Sequence, residues 1–226
     1  MLYRTIHIGK DKYSCEVPQS WNEVSFNQLL LLMKASNDAE VFSALTGLSK
    51  ELLQINELVD FYIWLDHNTT FRHKPFPAND TNPNLTWIYK DKVYTIPKDI
   101  NYASIGQYED MKHVVKDLIE GKDPIKLAEQ YPMVVAIYLQ KLIDGDYDYN
   151  KAVELSKELL EYPCEEISNT ANFFLSKFLR LRGITPKCFQ QGLTLQKLKR
   201  LVLTAYTKAS AFMQHSSRSQ VETLRK

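Results

Sequence analysis

Apolar and polar positions alternate over Leu2-Tyr3-Arg4-Thr5-Ile6-His7-Ile8 and again over Tyr13 to Val17, with Gly9-Lys10-Asp11-Lys12 as a polar turn between them. Period-two alternation rich in β-branched and aromatic residues on both sides of a turn predicts a β-hairpin. Pro18 ends the second strand, because proline has no N–H and disfavours the helical region for its predecessor. Ser25 then stands three residues before Gln28, the spacing at which a hydroxyl and an amide satisfy the orphan backbone groups of a helix start. The expected unit is hairpin, short loop, helix. The whole pattern returns 79 positions later, with Leu85 to Tyr89, a Lys90-Asp91-Lys92 turn and Val93 to Ile96 leading into Pro97, Ser104 and Gln107. Pro18/Pro97, Asn22/Asn101, Ser25/Ser104 and Gln28/Gln107 are identical, and Val17/Ile96, Trp21/Ile100, Val24/Ala103 and Phe26/Ile105 stay apolar. Duplication of a small unit accounts for this, as does convergent use of a cheap connection. Two copies are too few for a solenoid. An isolated hairpin is marginal in water, so the two are expected to pair in one small antiparallel sheet.

Elsewhere the pattern is helical. Phe26 to Lys34 is apolar on more than one face, as a largely buried helix should be. Asn37 or Asp38 can cap Ala39 to Leu45, with Gly47 as its stop, and Ser49 can cap Lys50 to Ile55. Glu57 to Asp66 carries Leu58, Phe61, Tyr62, Trp64 and Leu65. Prolines 75, 77 and 83 and a run of asparagines break the pattern and make residues 67–84 a linker. Beyond the second unit's helix, Ile105 to Glu120, come helices over Ile125 to Gln130, Met133 to Ile143, Lys151 to Glu161 with Asn150 as cap, Glu165 to Arg182, and Thr194 onward. The fold class expected is α+β, mostly α-helical. Residues 1–121 hold the two hairpin-to-helix units and 122–226 form a basic helical region.

Composition adds that the 226 residues, 44% hydrophobic and 24% charged, suit a globular chain with a sizeable core. No basic region followed by an apolar run stands at the start, and no stretch nears the ~18 apolar residues of a membrane span, so synthesis in the cytoplasm without a signal peptide or membrane contact is expected. Charge is polarised. From Asn172 to Lys226 there are 11 basic side chains against Glu222 alone, +10, leaving 17 of the 28 basic and 26 of the 27 acidic ones, −9, in the rest. Such asymmetry points to partners, either nucleic acid or complementary surfaces of like subunits. Lys197, Lys199, Arg200 and Lys208, outside the apolar stripe Leu195, Leu198, Leu201, Val202, Ala205, are the candidate contacts, together with Arg180 and Arg182.

Candidate chemistry is sparse. Asp144-Gly145-Asp146-Tyr147-Asp148 imitates half a calcium loop, but Tyr149 and Leu155 stand where the template needs glycine and a bidentate glutamate, so an acidic helix–helix turn is expected. His7, His67, His73, His113 and His215 share no ligand spacing, and Cys15, Cys164 and Cys188 read as buried free thiols. Neither phosphate-binding glycine motif occurs. The expectation is a chain with no catalytic residues, no metal and no cofactor, in which Ser25, Gln28, Ser104 and Gln107 are structural caps.

The two units, Val-Pro-x-x-Trp-x-x-Val-Ser-x-x-Gln from Val17 and Ile-Pro-x-x-Ile-x-x-x-Ser-x-Gly-Gln from Ile96, each following a short hairpin and entering a helix, resemble structural proteins of crAss-like tailed bacteriophages of Bacteroides. The resemblance implies a virion component: a homo-oligomeric ring of the neck or tail barrel that touches portal or adjacent tail rings, with packaged DNA as a further partner, and with no enzymatic residues. The alternatives are an accessory nucleic-acid-binding protein using the basic C-terminal helix, and a tail-assembly chaperone.

Overall fold

The computed structural model describes residues 1–53, 58–74, 76, 86–97, 103–120 and 124–181. β1 (Leu2–Ile8) and β2 (Asp11–Val17) form the first hairpin, in register from Leu2 opposite Val17 to Ile8 opposite Asp11. The turn is tighter than the four residues expected, because Gly9, at φ 59°, lets the chain reverse over Gly9 and Lys10 alone. β3 (Thr86–Tyr89) and β4 (Lys92–Thr95) form the second hairpin, whose loop residues Lys90 and Asp91 both have positive φ, 47° and 62°. That pair of angles matches the right-handed twist of the strands it joins. From turn to proline the second hairpin is two residues shorter. An even difference preserves which face each side chain takes, so Val17 and Ile96 are both buried.

The mostly helical α+β class holds, with one correction. Among the described residues the hairpins do not join: β1–β2 and β3–β4 are separate two-stranded sheets. Each finds its support in helices instead. β2 packs on α2 (Asp38–Thr46), while Trp87 of β3 is fully buried and stacks on Tyr162, ring centroids 5.6 Å apart.

The chain divides into two compact units, among the described residues 1–24 with 28–76, and 25–27 with 86–181. In the first, α1 (Phe26–Lys34, counted here from Gln28) is followed by α2, α3 (Lys50–Leu53) and α4 (Val59–Asn68). Asn37 caps α2 by accepting from the Glu40 N–H at 3.0 Å, and Gly47 closes it at φ 73°. Thr70–His73 form a 3₁₀ turn within the stretch expected to be irregular. Phe71 pins that turn by meeting the buried Trp21 edge to face at 5.2 Å.

In the second unit α5 (Ile105–Glu120), α6 (Pro124–Glu129), α8 (Tyr149–Glu158) and α9 (Cys164–Leu181) all pack on α7 (Tyr131–Asp144). Every residue of α7 from Val134 to Gln140 is buried, as befits a helix apolar around most of its circumference. α8 is capped by Asp148, not Asn150: the Asp148 carboxylate accepts from Asn150 N and Lys151 N, so the helix starts two residues earlier. Among the described residues no helix is long and apolar enough to cross a membrane.

The two glutamines act alike. Gln107 Oε1 accepts from Ser104 N at 2.8 Å, Ser104 Oγ accepts from Gln107 N at 3.3 Å, and Gln107 Nε2 donates to the Ile137 carbonyl of α7 at 2.6 Å. Gln28 Nε2 donates to the Leu45 carbonyl of α2 at 3.1 Å. Gln107 is fully buried and Gln28 only partly so. Gln107→Ala should therefore cost about 2 kcal/mol, by losing a cap and a buried hydrogen bond together, and Gln28→Ala about half as much. Urea unfolding of both variants checks the order.

Candidate functional site

Of the six basic candidates, Arg180 lies in α9 with its side chain outside the described residues. Arg182, Lys197, Lys199, Arg200 and Lys208 lie outside the described residues altogether, as does Cys188. The structure therefore brings none of them to a described site. Ser25 forms a β-bridge with Pro163, next to a 2.8 Å bond from Phe26 N to the Tyr162 carbonyl.

Within the second unit, the β3–β4 hairpin and helices α7 and α8 enclose a cleft of about 400 Å³. Lys90, which belongs to the repeated Lys-Asp-Lys turn, reaches Glu158 at 3.1 Å and lies 4.7 Å over the Tyr89 ring. The Tyr89 hydroxyl donates to Glu158 at 2.7 Å. That bond first, and Lys90 second, hold Glu158 below the usual carboxylate range. Asp144 is lowered in the same way by Lys151, 3.0 Å away, and by the Gln140 amide. Both carboxylates are thus ionised and compensated, and neither is suited to donate a proton near neutral pH.

The acidic turn at the end of α7 is organised as a connection. Gly145 ends the helix at φ 90°. Gln140 spans the turn from inside: its Nε2 donates to Asp144 Oδ2 and the Asp146 carbonyl, both at 3.1 Å, and its Oε1 accepts from Asp148 N at 2.9 Å. Among the described residues no group of His, Cys, Asp and Glu could hold a metal ion. Cys15 and Cys164 are buried free thiols, and burial pushes the pKa of each up.

The first unit holds a cluster that the sequence did not disclose. Arg72, 4% exposed, donates from Nη2 to Asp66 and lies 4.8 Å over the Phe42 ring. Tyr62 meets the same ring edge to face at 5.1 Å. Burial raises the Asp38 carboxyl, opposed by the charge of Arg72, and lowers His73. Burial, with the Asp38 charge second, pushes the Tyr62 phenol from 10.0 up to about 12. A raised folded value means its contribution is intact below pH 10 and is lost as pH rises from there towards 12. Tyr62→Phe should accordingly flatten the alkaline limb of a stability–pH profile across that interval.

Several apolar side chains are exposed. Val59 and Ile63 are four apart on α4, and Ile88 and Val93 are cross-strand partners on the outer face of the second hairpin. Ile105 and Tyr108 are 84% and 37% exposed on the first turn of α5. Their sequence signal was the loss of alternation: Trp87-Ile88-Tyr89 and Val93-Tyr94 are apolar on both faces. Ile105 gave none, because its counterpart Phe26 is fully buried.

Compared with known proteins, the chain matches no family model, no curated protein and no solved structure.

Proposed function

We propose that this protein is a non-catalytic structural component of a tailed-bacteriophage virion, a homo-oligomeric ring of the neck or tail barrel between portal and tail. The reading rests on the two stretches that carry the resemblance, Val17–Gln28 and Ile96–Gln107. Each follows a hairpin, ends a strand at proline and sends a glutamine to a backbone carbonyl of another helix. Their described glutamines have backbone reasons to be where they are, each holding a carbonyl of another helix. The exposed apolar pairs on α4, α5 and the second hairpin support the reading as surfaces for assembly, since such patches mark interaction sites when they are contiguous.

Mass measurement of the purified chain, alone and with the proteins encoded beside it, tests this. A closed oligomer, or incorporation into purified particles, is the expected result. A chain that stays monomeric and joins no complex overturns it. The +10 segment supports a second reading, an accessory nucleic-acid-binding protein. That reading requires DNA affinity to fall by orders of magnitude between low and physiological salt, as counterion release dictates, and little DNA binding at any salt eliminates it.

A further inference from the structure

We propose that the surface made by the first turn of α5 and the α7–α8 connection receives the C-terminal segment, residues 194–212, of a neighbouring copy of this chain. The proposal rests on the reading of the protein as a self-assembling ring component and names the contact that builds the ring.

The receiving surface is fixed by local packing. The Tyr147 ring lies against Gly106, where a Cβ would come within 3.3 Å of it, and the Tyr147 hydroxyl donates to Asp110 Oδ2 at 2.7 Å. These two contacts hold the α7–α8 connection against the start of α5. Ile105 and Tyr108 then present apolar surface to solvent on the first turn of α5, and Tyr149, 49% exposed, adds a ring at the start of α8. Exposed carboxylates stand beside them: Glu109, next to Tyr108 on α5 and 3.1 Å from Lys112, and Asp146, next to Tyr147 in the connection, which also carries Asp148, the cap of α8. The surface is an apolar strip with an acidic rim.

The donor has the complementary character. Leu195, Leu198, Leu201, Val202 and Ala205 recur at helical intervals, Lys197, Lys199, Arg200 and Lys208 lie between and beyond them, and no Asp or Glu occurs from Asn172 to Val221. A basic segment with apolar residues at helical intervals and an apolar strip with acidic neighbours are complementary in both apolar and electrostatic terms. The described chain also ends beside this surface. Tyr108 packs on Phe178 with ring centroids 5.2 Å apart, and Leu181 follows three residues later. Residues 182–193 can span roughly 40 Å when extended, enough to carry the segment to an adjacent copy. Donor and acceptor are different surfaces of one chain, so the contact is heterologous, and it repeats from copy to copy until the ring closes.

The test uses the full chain and its sedimentation at low and physiological salt. Ile105→Asp, which changes a side chain in solvent, should leave the circular dichroism and unfolding midpoint unchanged while weakening self-association at least tenfold. The charge reversal Glu109→Lys with Asp146→Lys, and the reversal Lys197→Glu with Lys199→Glu and Arg200→Glu, should each do likewise. A chain carrying both reversals should assemble again, which a merely structural role for these residues would not produce. If the wild-type chain assembles and the Ile105 and rim variants assemble as well as it does, the inference is overturned and the ring reading stands. If the wild-type chain is monomeric alone yet enters particles, the segment is not exchanged between copies; the inference is again overturned, without the reading. A chain that neither self-associates nor enters particles overturns both.

Discussion

Phe174→Ala is expected to destabilise the second unit by about 3–5 kcal/mol, the range for emptying an aromatic site in a core that cannot collapse. Phe174 is 1% exposed on α9 and stacks on Tyr138 of α7, ring centroids 4.1 Å apart and planes 15° from parallel. Tyr138 is itself buried in the helix on which α5, α6, α8 and α9 all pack. Removing the ring therefore strips dispersion contacts from the centre of the unit, and neighbours held by other helices have little freedom to fill the space. Phe173, one residue earlier and only partly buried, meets Phe174 edge to face at 5.5 Å. Phe173→Ala should cost less than half as much. Trp87, buried in the same unit, supplies a fluorescence signal for urea titrations of both variants. Equal costs for the two would contradict the placement of α9's buried stripe.

Asp66→Ala is expected to cost about 2–3 kcal/mol, more than Arg72→Met, although the two changes break the same ion pair. Arg72 is buried over Phe42, whereas 47% of the Asp66 side chain remains exposed. Deleting the aspartate leaves a guanidinium in apolar surroundings with less compensation, which is the costly way to break such a pair. Deleting the arginine leaves a carboxylate that water can reach, and methionine keeps most of the buried stem volume. Arg72→Met should cost about 1 kcal/mol at neutral pH. Its cost should shrink on acidification, because the Asp38 carboxyl, already raised by burial and relieved in part by Arg72, prefers to be neutral once the cation is gone. The sign follows from linkage: a carboxyl whose folded pKa is raised opposes folding as pH increases through that value. Urea unfolding of both variants at two pH values separates these effects. A larger loss for Arg72→Met than for Asp66→Ala would reverse the assignment of which partner is buried.

Local chemistry was legible where it is decided by neighbours in sequence. Pro18 and Pro97 end strands, Asn37 and Gly47 bound α2, and the Ser104–Gln107 spacing closes a reciprocal cap, each through bonds made within a few residues. The apolar run in α7 and the stripe Ile167, Ala171, Phe174, Phe178 on α9 were legible for the same reason, since helical periodicity is a property of the chain itself. The cap of α8 was misread because Asp148 and Asn150 are both good caps and their choice depends on how Gln140 holds the turn from a different helix.

The cluster around Arg72 and the exposed strip on α5 were not legible. An arginine inside a proline- and asparagine-rich stretch reads as solvated, and only the docking of Phe71 on Trp21 carries Arg72 inward. Ile105 and Phe26 occupy the same place in the repeated pattern, yet Phe26 stacks on Tyr131 with centroids 6.4 Å apart while Ile105 faces solvent. The two hairpin-to-helix units, the helices between Tyr131 and Leu181 and the opposed charges of body and C-terminal segment follow from local pattern, because strand alternation, caps and charge are local or additive. Tertiary packing settled that, among the described residues, each hairpin rests on elements of its own unit, which copy of the repeat buries its first helical residue, and where a cation is taken inside. Those outcomes depend on which surfaces meet, and partners distant in sequence leave no periodic trace in it.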